Sequence, residues 1–207
     1  MAENKLMTVE QAEAQTKALA GFDVWMDKAA FEQLLRVANM LSQSNIVPAA
    51  YQGKPQDCFV ACDLANRMSL SPITVMQNLN VIKGKPSWSG PCCMALVENC
   101  GKYRTPTYET VGEVGTSSWG CKVVGVRKSD GAIVVGTTVT MAMAQAEGWL
   151  SNPKWKSMPE QMLKYRAAAF FARAHCPEAL MGLQTTEEVE DSRHNAAADL
   201  NNELEAM

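Results

Sequence analysis

Lysine and arginine recur beside aromatic rings through the middle of this chain. Lys83 and Lys85 precede Trp88, Lys102 and Arg104 bracket Tyr103 with Tyr108 beyond, Lys154 and Lys156 flank Trp155 after Trp149, and Lys164 and Arg166 flank Tyr165. Lys122, Arg127, Lys128 and Arg173 add four more cations. This mixture suits single-stranded nucleic acid, where cations neutralise phosphates and flat rings or apolar wedges meet bases. These twelve cations are the candidate contact residues. Each cluster alone carries little weight, because Lys and Arg also solvate ordinary surfaces. Trp88 and Trp119, in expected strands, read as core rather than as stacking platforms.

Other chemistries lack their residues. The Gly-Lys pairs at 53–54, 84–85 and 101–102 have Pro48, Leu79 and Leu96 five positions upstream, so none completes a phosphate loop. Neither G-x-G-x-x-G nor C-x-x-C occurs. Cys58 and Cys62, four apart on an expected helix, read as a buried apolar pair rather than metal ligands. His175 adjoins Cys176, but neighbours at a helix end point in different directions. A nucleophile and its base are usually close in space and distant in sequence. No metal or other cofactor is expected, and the chain reads as a non-enzyme.

A net charge of −3 conceals an asymmetry. Residues 83–173 carry twelve Lys and Arg against six acids, whereas residues 174–207 carry one basic residue against eight acids. A basic middle in an acidic chain points to a polyanionic partner. At 207 residues, 47% hydrophobic and 20% charged, the chain can bury a core without staples, which excludes wholesale disorder. No apolar run reaches the ~18 residues of a membrane span. The opening MAENKLMTVEQAEAQ lacks a basic-then-apolar export pattern. Seven cysteines, an odd number, read as reduced thiols of a cytoplasmic protein.

These side chains must be positioned by an α+β fold, with antiparallel strands in the middle flanked by helices. From Phe22 to Ser42, apolar residues at Phe31, Leu34, Leu35, Ala38 and Leu41 trace one helical face. A second helix is expected over 56–68, with Phe59, Cys62 and Met68 inward, and a short third after Pro72, capped by Ser71. LNVIKGKPSWSG reads as two short strands about a Gly turn, PCCMALVENCG as a helix ending at Gly101, and KYRTPTYETV as extended. WGCKVVGVRK and AIVVGTTVTM form a Val-rich hairpin around Ser129-Asp130-Gly131. Together, 80–140 predict one antiparallel sheet of four or five strands with an embedded helix.

Ser157-Met158-Pro159-Glu160 has the form of a capping box, opening a helix over about 158–176 that Pro177 stops. At 100° per residue, Ala167, Phe170 and Ala174 fall within about 40° of Leu163, which predicts the core face. Met162, Arg166, Ala169 and Arg173 make a flanking stripe with two guanidinium groups about 10 Å apart along the axis. Lys164 lies on the opposite flank. All three charged ends are expected to reach solvent, and Ala167-Ala168-Ala169 keeps the helix slim enough for a ligand to approach. The expected organisation is one domain over 1–184, with a helical part at 1–79 and the basic β-rich core and capped helix at 80–184. An acidic tail, loosely helical or disordered, follows at 185–207.

LSPITVMQNLNVIKGKPSWSG, the basic β-rich middle, and K-W-K-x-x-P-E-x-M-x-K-Y-R with its downstream Pro and Glu-Glu resemble the RecT family of phage recombinases, which are single-strand annealing proteins. The resemblance covers about residues 25–191. Its most specific parts are G-K-P-S-W-S-G at 84–90 and Met162, Lys164, Arg173 and Pro177 of the capped helix. Many relatives place paired basic residues mid-helix, where Ala169 and Phe170 stand here. The resemblance implies ATP-independent binding of single-stranded DNA and annealing of complementary strands through a duplex intermediate. It implies a ring or helical homo-oligomer in the bacterial host cytoplasm, beside a phage 5'-3' exonuclease and away from membranes. Relatives often carry a further C-terminal module for the host single-strand binding protein, a contact left open for this chain. The competing reading is an oligomeric scaffold whose basic surface meets a partner other than nucleic acid, with a thiol enzyme more distant.

Overall fold

Helices begin in this chain where a cap or a proline permits. The computed structural model describes the backbone of residues 24–205 and the side chains of 24–197, so residue 22, the expected helix start, lies outside the described residues. The chain divides into two compact units, one ending at Asn78 and the other beginning at Leu79. In the first, α1 (Lys28–Ser42) opens at Asp27, whose Oδ1 accepts the Ala30 N–H at 3.0 Å. α2 (Pro55–Arg67) starts on a proline, whose missing N–H costs nothing there. It buries Cys58, Phe59, Ala61, Cys62 and Ala65, while Met68 is its half-buried C-cap. The Phe31, Phe59 and Trp25 rings meet, with Phe59 5.0 Å from Phe31 and 5.5 Å from Trp25. α3 (Pro72–Asn78) ends the unit.

The second unit is α+β, with all its strands but the last in the middle of the chain. β1 (Leu79–Ile82) and β2 (Lys85–Trp88) form a hairpin through Lys83 and Gly84. Both turn residues have positive φ, 49° and 78°, the twist that a two-residue hairpin turn needs. α4 (Gly90–Asn99) follows, and Gly101, at φ +74°, leads into β3 (Tyr103–Val111). β4 (Gly120–Arg127) pairs with β3, with β5 (Ile133–Val135) and with β6 (Val139–Thr140). α5 (Met141–Ala146), a 3-10 turn, α6 (Lys154–Ser157) and α7 (Pro159–His175) complete the middle. After a second 3-10 turn, β7 (Gln184–Thr185) leads into α8 (Thr186–Glu205).

Three expectations about the strands and the cap of α7 are corrected. The strands lie in two sheets rather than one: β1-β2-β7, where β7 runs parallel to β2, and β3-β4-β5 with β6 also on β4. The second arm of the Val-rich hairpin breaks at Gly136 because Phe171 of α7 fills the space beside it. A Cβ there would lie 2.9 Å from Phe171 Cδ2. The third correction concerns the cap of α7. Ser157 ends α6, with its N–H bonded to Pro153 O, and Met158 occupies the cap position without a side-chain hydrogen bond. Glu160 pairs with Lys164 Nζ at 2.6 Å instead.

α7 crosses β4 and packs against α4 and α8, so more than one face is covered. Phe171 rather than Phe170 enters the core, 5.1 Å from the Tyr103 ring, and Ala174 is exposed. Ala167, Ala168 and Ala169 have no exposed surface, so the slim segment admits the protein's own elements rather than a ligand. Residues 186–205 are helical and buried at Glu187, Glu188, Val189 and Asp191, rather than loose. Among the described residues no helix is long and apolar enough to cross a membrane.

Candidate nucleic-acid interface

One end of the second sheet gathers three of the candidate cations. Lys102 follows the Gly101 turn, and its carbonyl accepts the Lys128 N–H at 2.9 Å. Arg127 ends β4, and its carbonyl accepts the Gly131 N–H at 2.9 Å to close the turn. Tyr103 Oη donates to His175 O at 3.1 Å, bringing the end of α7 alongside. Together these segments line an open cleft of about 610 Å³, walled by Gly101 to Tyr103, Arg127 to Ser129, Ala174 and His175.

The cleft's charges are held lightly. Lys102 Nζ meets Glu178 Oε1 at 2.6 Å and Arg127 Nη1 meets Asp130 Oδ2 at 2.9 Å, all four side chains being about half exposed. Each carboxylate is held below its usual range. Lys102's hydrogen bond does so for Glu178, and for Asp130 the Ala132 N–H leads with Arg127 adding to it. Exposed pairs of this kind are screened by solvent and weak, so a phosphate can replace the carboxylate. Lys128 is exposed and has no ion pair among the described residues. Arg104, on β3, is likewise exposed and without an ion pair.

Arg166 is a correction to the candidate set. It is 7% exposed, its Nη2 donates to Asp191 Oδ2, and its Nη1 lies 3.2 Å from Glu188 Oε1. Its guanidinium stacks over the Trp149 ring, 4.1 Å from the centroid. Asp191 also accepts from Asn152 Nδ2 at 2.8 Å and from Trp155 Nε1 at 3.1 Å. Burial pushes the Asp191 carboxyl up, against the pull of these donors. A guanidinium in this setting cannot reach a phosphate without abandoning two buried carboxylates, which is why it stays inside. Arg173 is half-exposed but committed to Glu188 through both oxygens, at 2.9 and 2.6 Å. Burial raises Glu188, yet Arg173 and the Thr185 N–H outweigh it and hold the group below the usual range. Lys154 is held by Glu190 at 2.7 Å. The acids of α8 thus consume Lys154, Arg166 and Arg173.

The remaining candidates are dispersed. Lys83 and Lys85 are exposed on the β1–β2 hairpin and have no ion pair among the described residues. Lys122 pairs across the sheet with Glu109 at 3.2 Å. Lys156 is exposed at the edge of a second hollow of about 470 Å³, whose wall includes Trp119, Met141, Leu150 and Trp155. Of the rings beside the cations, Tyr103, Trp149 and Trp155 are buried and Tyr108 and Tyr165 half-buried, Trp149 stacking on Trp155 at 5.4 Å, while Trp88 and Trp119 lie in the core as expected. Their large apolar area stabilises the core more than it would in water.

Cys176 is fully buried beside His175, and burial pushes its thiol up to about 12, the reverse of what an activated nucleophile needs. Sequence reading missed Glu188 and Asp191 as buried partners. The available signal was their spacing: residues three and four apart, 187, 188 and 191, share one face of a helix. Comparison with protein families, with characterised proteins and with solved structures finds no match.

Proposed function

We propose that this chain binds single-stranded DNA through its phosphates and anneals complementary strands without nucleotide hydrolysis, as an oligomeric template of the RecT type. The observation that carries this reading is the cleft of Lys102, Arg127 and Lys128, in which one cation has no ion pair among the described residues and two are held by displaceable, exposed carboxylates. Arg104, Lys83, Lys85 and Lys156 add further exposed cations elsewhere on the surface. Neutralising one backbone leaves its bases free to pair, and the duplex product adds further phosphate contacts. The buried rings favour backbone over base contacts, and hence little dependence on sequence. A phage exonuclease would supply the single strands, in the host cytoplasm.

A second reading has its own support. Seven of the twelve candidate cations are ion-paired within the chain. Strand β5 also exposes Ile133 and Val135, 71% and 51% accessible. Those features suit a scaffold that meets another protein. Titrating a labelled oligonucleotide between about 50 and 200 mM salt separates the two, because several phosphate contacts weaken binding by orders of magnitude over that range. Annealing of complementary oligonucleotides without nucleotide supports the first reading. Salt-insensitive binding, or a strong preference for one base sequence over its scramble, removes it.

A further inference from the structure

Seven cysteines are free, and all but Cys100 are buried. Cys100 is the half-buried C-cap of α4, and Cys176 is the fully buried C-cap of α7. The two helix ends meet, α4 packing against the 3-10 turn that follows Cys176, and the two thiols lie close enough to perturb one another electrostatically. Two further contacts fix this approach on either side. Lys102 Nζ reaches Glu178 Oε1 at 2.6 Å, and Tyr103 Oη donates to His175 O at 3.1 Å. No other thiol pair combines an accessible member with a partner on a separate element. Cys58 and Cys62 share α2 and are both buried, and Cys92 and Cys93 are adjacent on α4.

We propose that Cys100 and Cys176 are a redox-responsive pair, closing a disulfide that ties the end of α4 to the end of α7 when the chain meets a small-molecule disulfide. The Cys100 thiol loses its proton and attacks one sulfur of the oxidant, whose S–S bond breaks and releases one thiolate. Cys176 then loses its proton, and its sulfur attacks that of Cys100, expelling the oxidant's second half as a thiolate. Both thiolates take up the released protons. The chain gives up two electrons and two protons, and the oxidant ends as two thiols. Burial raises the Cys176 thiol, so the second step is the slow one and a mixed disulfide on Cys100 accumulates first. The closed bond links segments 76 positions apart in the sequence and therefore restricts the unfolded chain.

The test incubates the full chain with glutathione disulfide and follows it by intact mass, peptide mapping and thermal melting. The expected course is a transient single glutathione adduct, then a species lacking two hydrogens in which Cys100 and Cys176 peptides are joined. Its Tm rises by roughly 10 °C and returns on adding dithiothreitol. Cys100→Ser, whose hydroxyl can keep the bond that Cys100 Sγ makes to Val97 O at 2.9 Å, melts like the reduced parent and gains no crosslink. A lasting adduct without closure, a bond joining any other pair, or an oxidised protein with an unchanged Tm overturns the proposal.

Discussion

Replacing Arg166 with Ala tests whether the α7–α8 contact is a support of the second unit. Its guanidinium is 7% exposed and faces Asp191, 1% exposed, and Glu188, 6% exposed at the side chain. Removing one member of a buried pair costs about 3–5 kcal/mol, because a charge is left in low dielectric without its counter-ion. Glu188 is spared most of that cost, since both oxygens remain on Arg173. Asp191 is not, because only the neutral donors of Asn152 and Trp155 remain. At about 2–4 °C per kcal/mol, the Tm should fall by roughly 6–20 °C. The pH dependence follows from Asp191. Its folded pKa is already raised by burial and rises further without the cation. A carboxyl with a raised folded pKa destabilises only as it ionises, so the gap between variant and parent should narrow as the pH falls from 7 towards 4. Thermal melting of both proteins across that range is the assay. A Tm within 2 °C of the parent (about 0.5–1 kcal/mol), or a gap that widens on acidification, refutes the reasoning.

Lys128→Ala should leave the Tm nearly unchanged, within about 0.5 kcal/mol, yet lower the salt slope of oligonucleotide binding by about one phosphate contact. Paired melting and binding titrations check this, and an unaltered slope moves the interface elsewhere. Truncation after Gly182 removes β7 and α8, and with them the partners of Arg166 and Arg173. It should unfold the second unit rather than simply unmask its cations, as circular dichroism would reveal. Glu187 Oε2 is buried without a hydrogen-bond partner, and burial raises that carboxyl. Glu187→Gln should therefore stabilise by roughly 1 kcal/mol at pH 7, and the gain should vanish near pH 4, where the parent carboxyl is protonated. Denaturant titration at the two pH values measures it. Gly90→Ala should destabilise by about 1–3 kcal/mol, since a Cβ there would lie 2.6 Å from Glu187 Oε2 and 2.8 Å from Tyr165 Cγ; the same denaturant titration applies.

The sequence by itself determined where elements begin and what kind they are, because those signals are local. Proline at the first turn of α2, α3 and α7, Gly101 after α4, and the Lys83-Gly84 turn act within a few residues. Valine-rich runs likewise gave β4 and β5, and the apolar spacing gave α1. Only the tertiary structure decided which face of α7 is inside. A single-face periodicity assumes one covering layer, whereas β4, α4 and α8 cover three sides, and the space beside Gly136 selects Phe171 over Phe170. The fate of the cations was equally non-local. A formal charge of one is written the same way for Arg166 as for Lys128, and no residue of its own helix gives Arg166 its buried counter-ions. What separates them is Asp191, 25 positions away, which α8 carries back into the core because the face bearing Glu188, Val189 and Asp191 is the one it buries. Charge composition therefore fixed how many cations the chain could offer to a polyanion. The folding of its own acids onto them fixed which remain free.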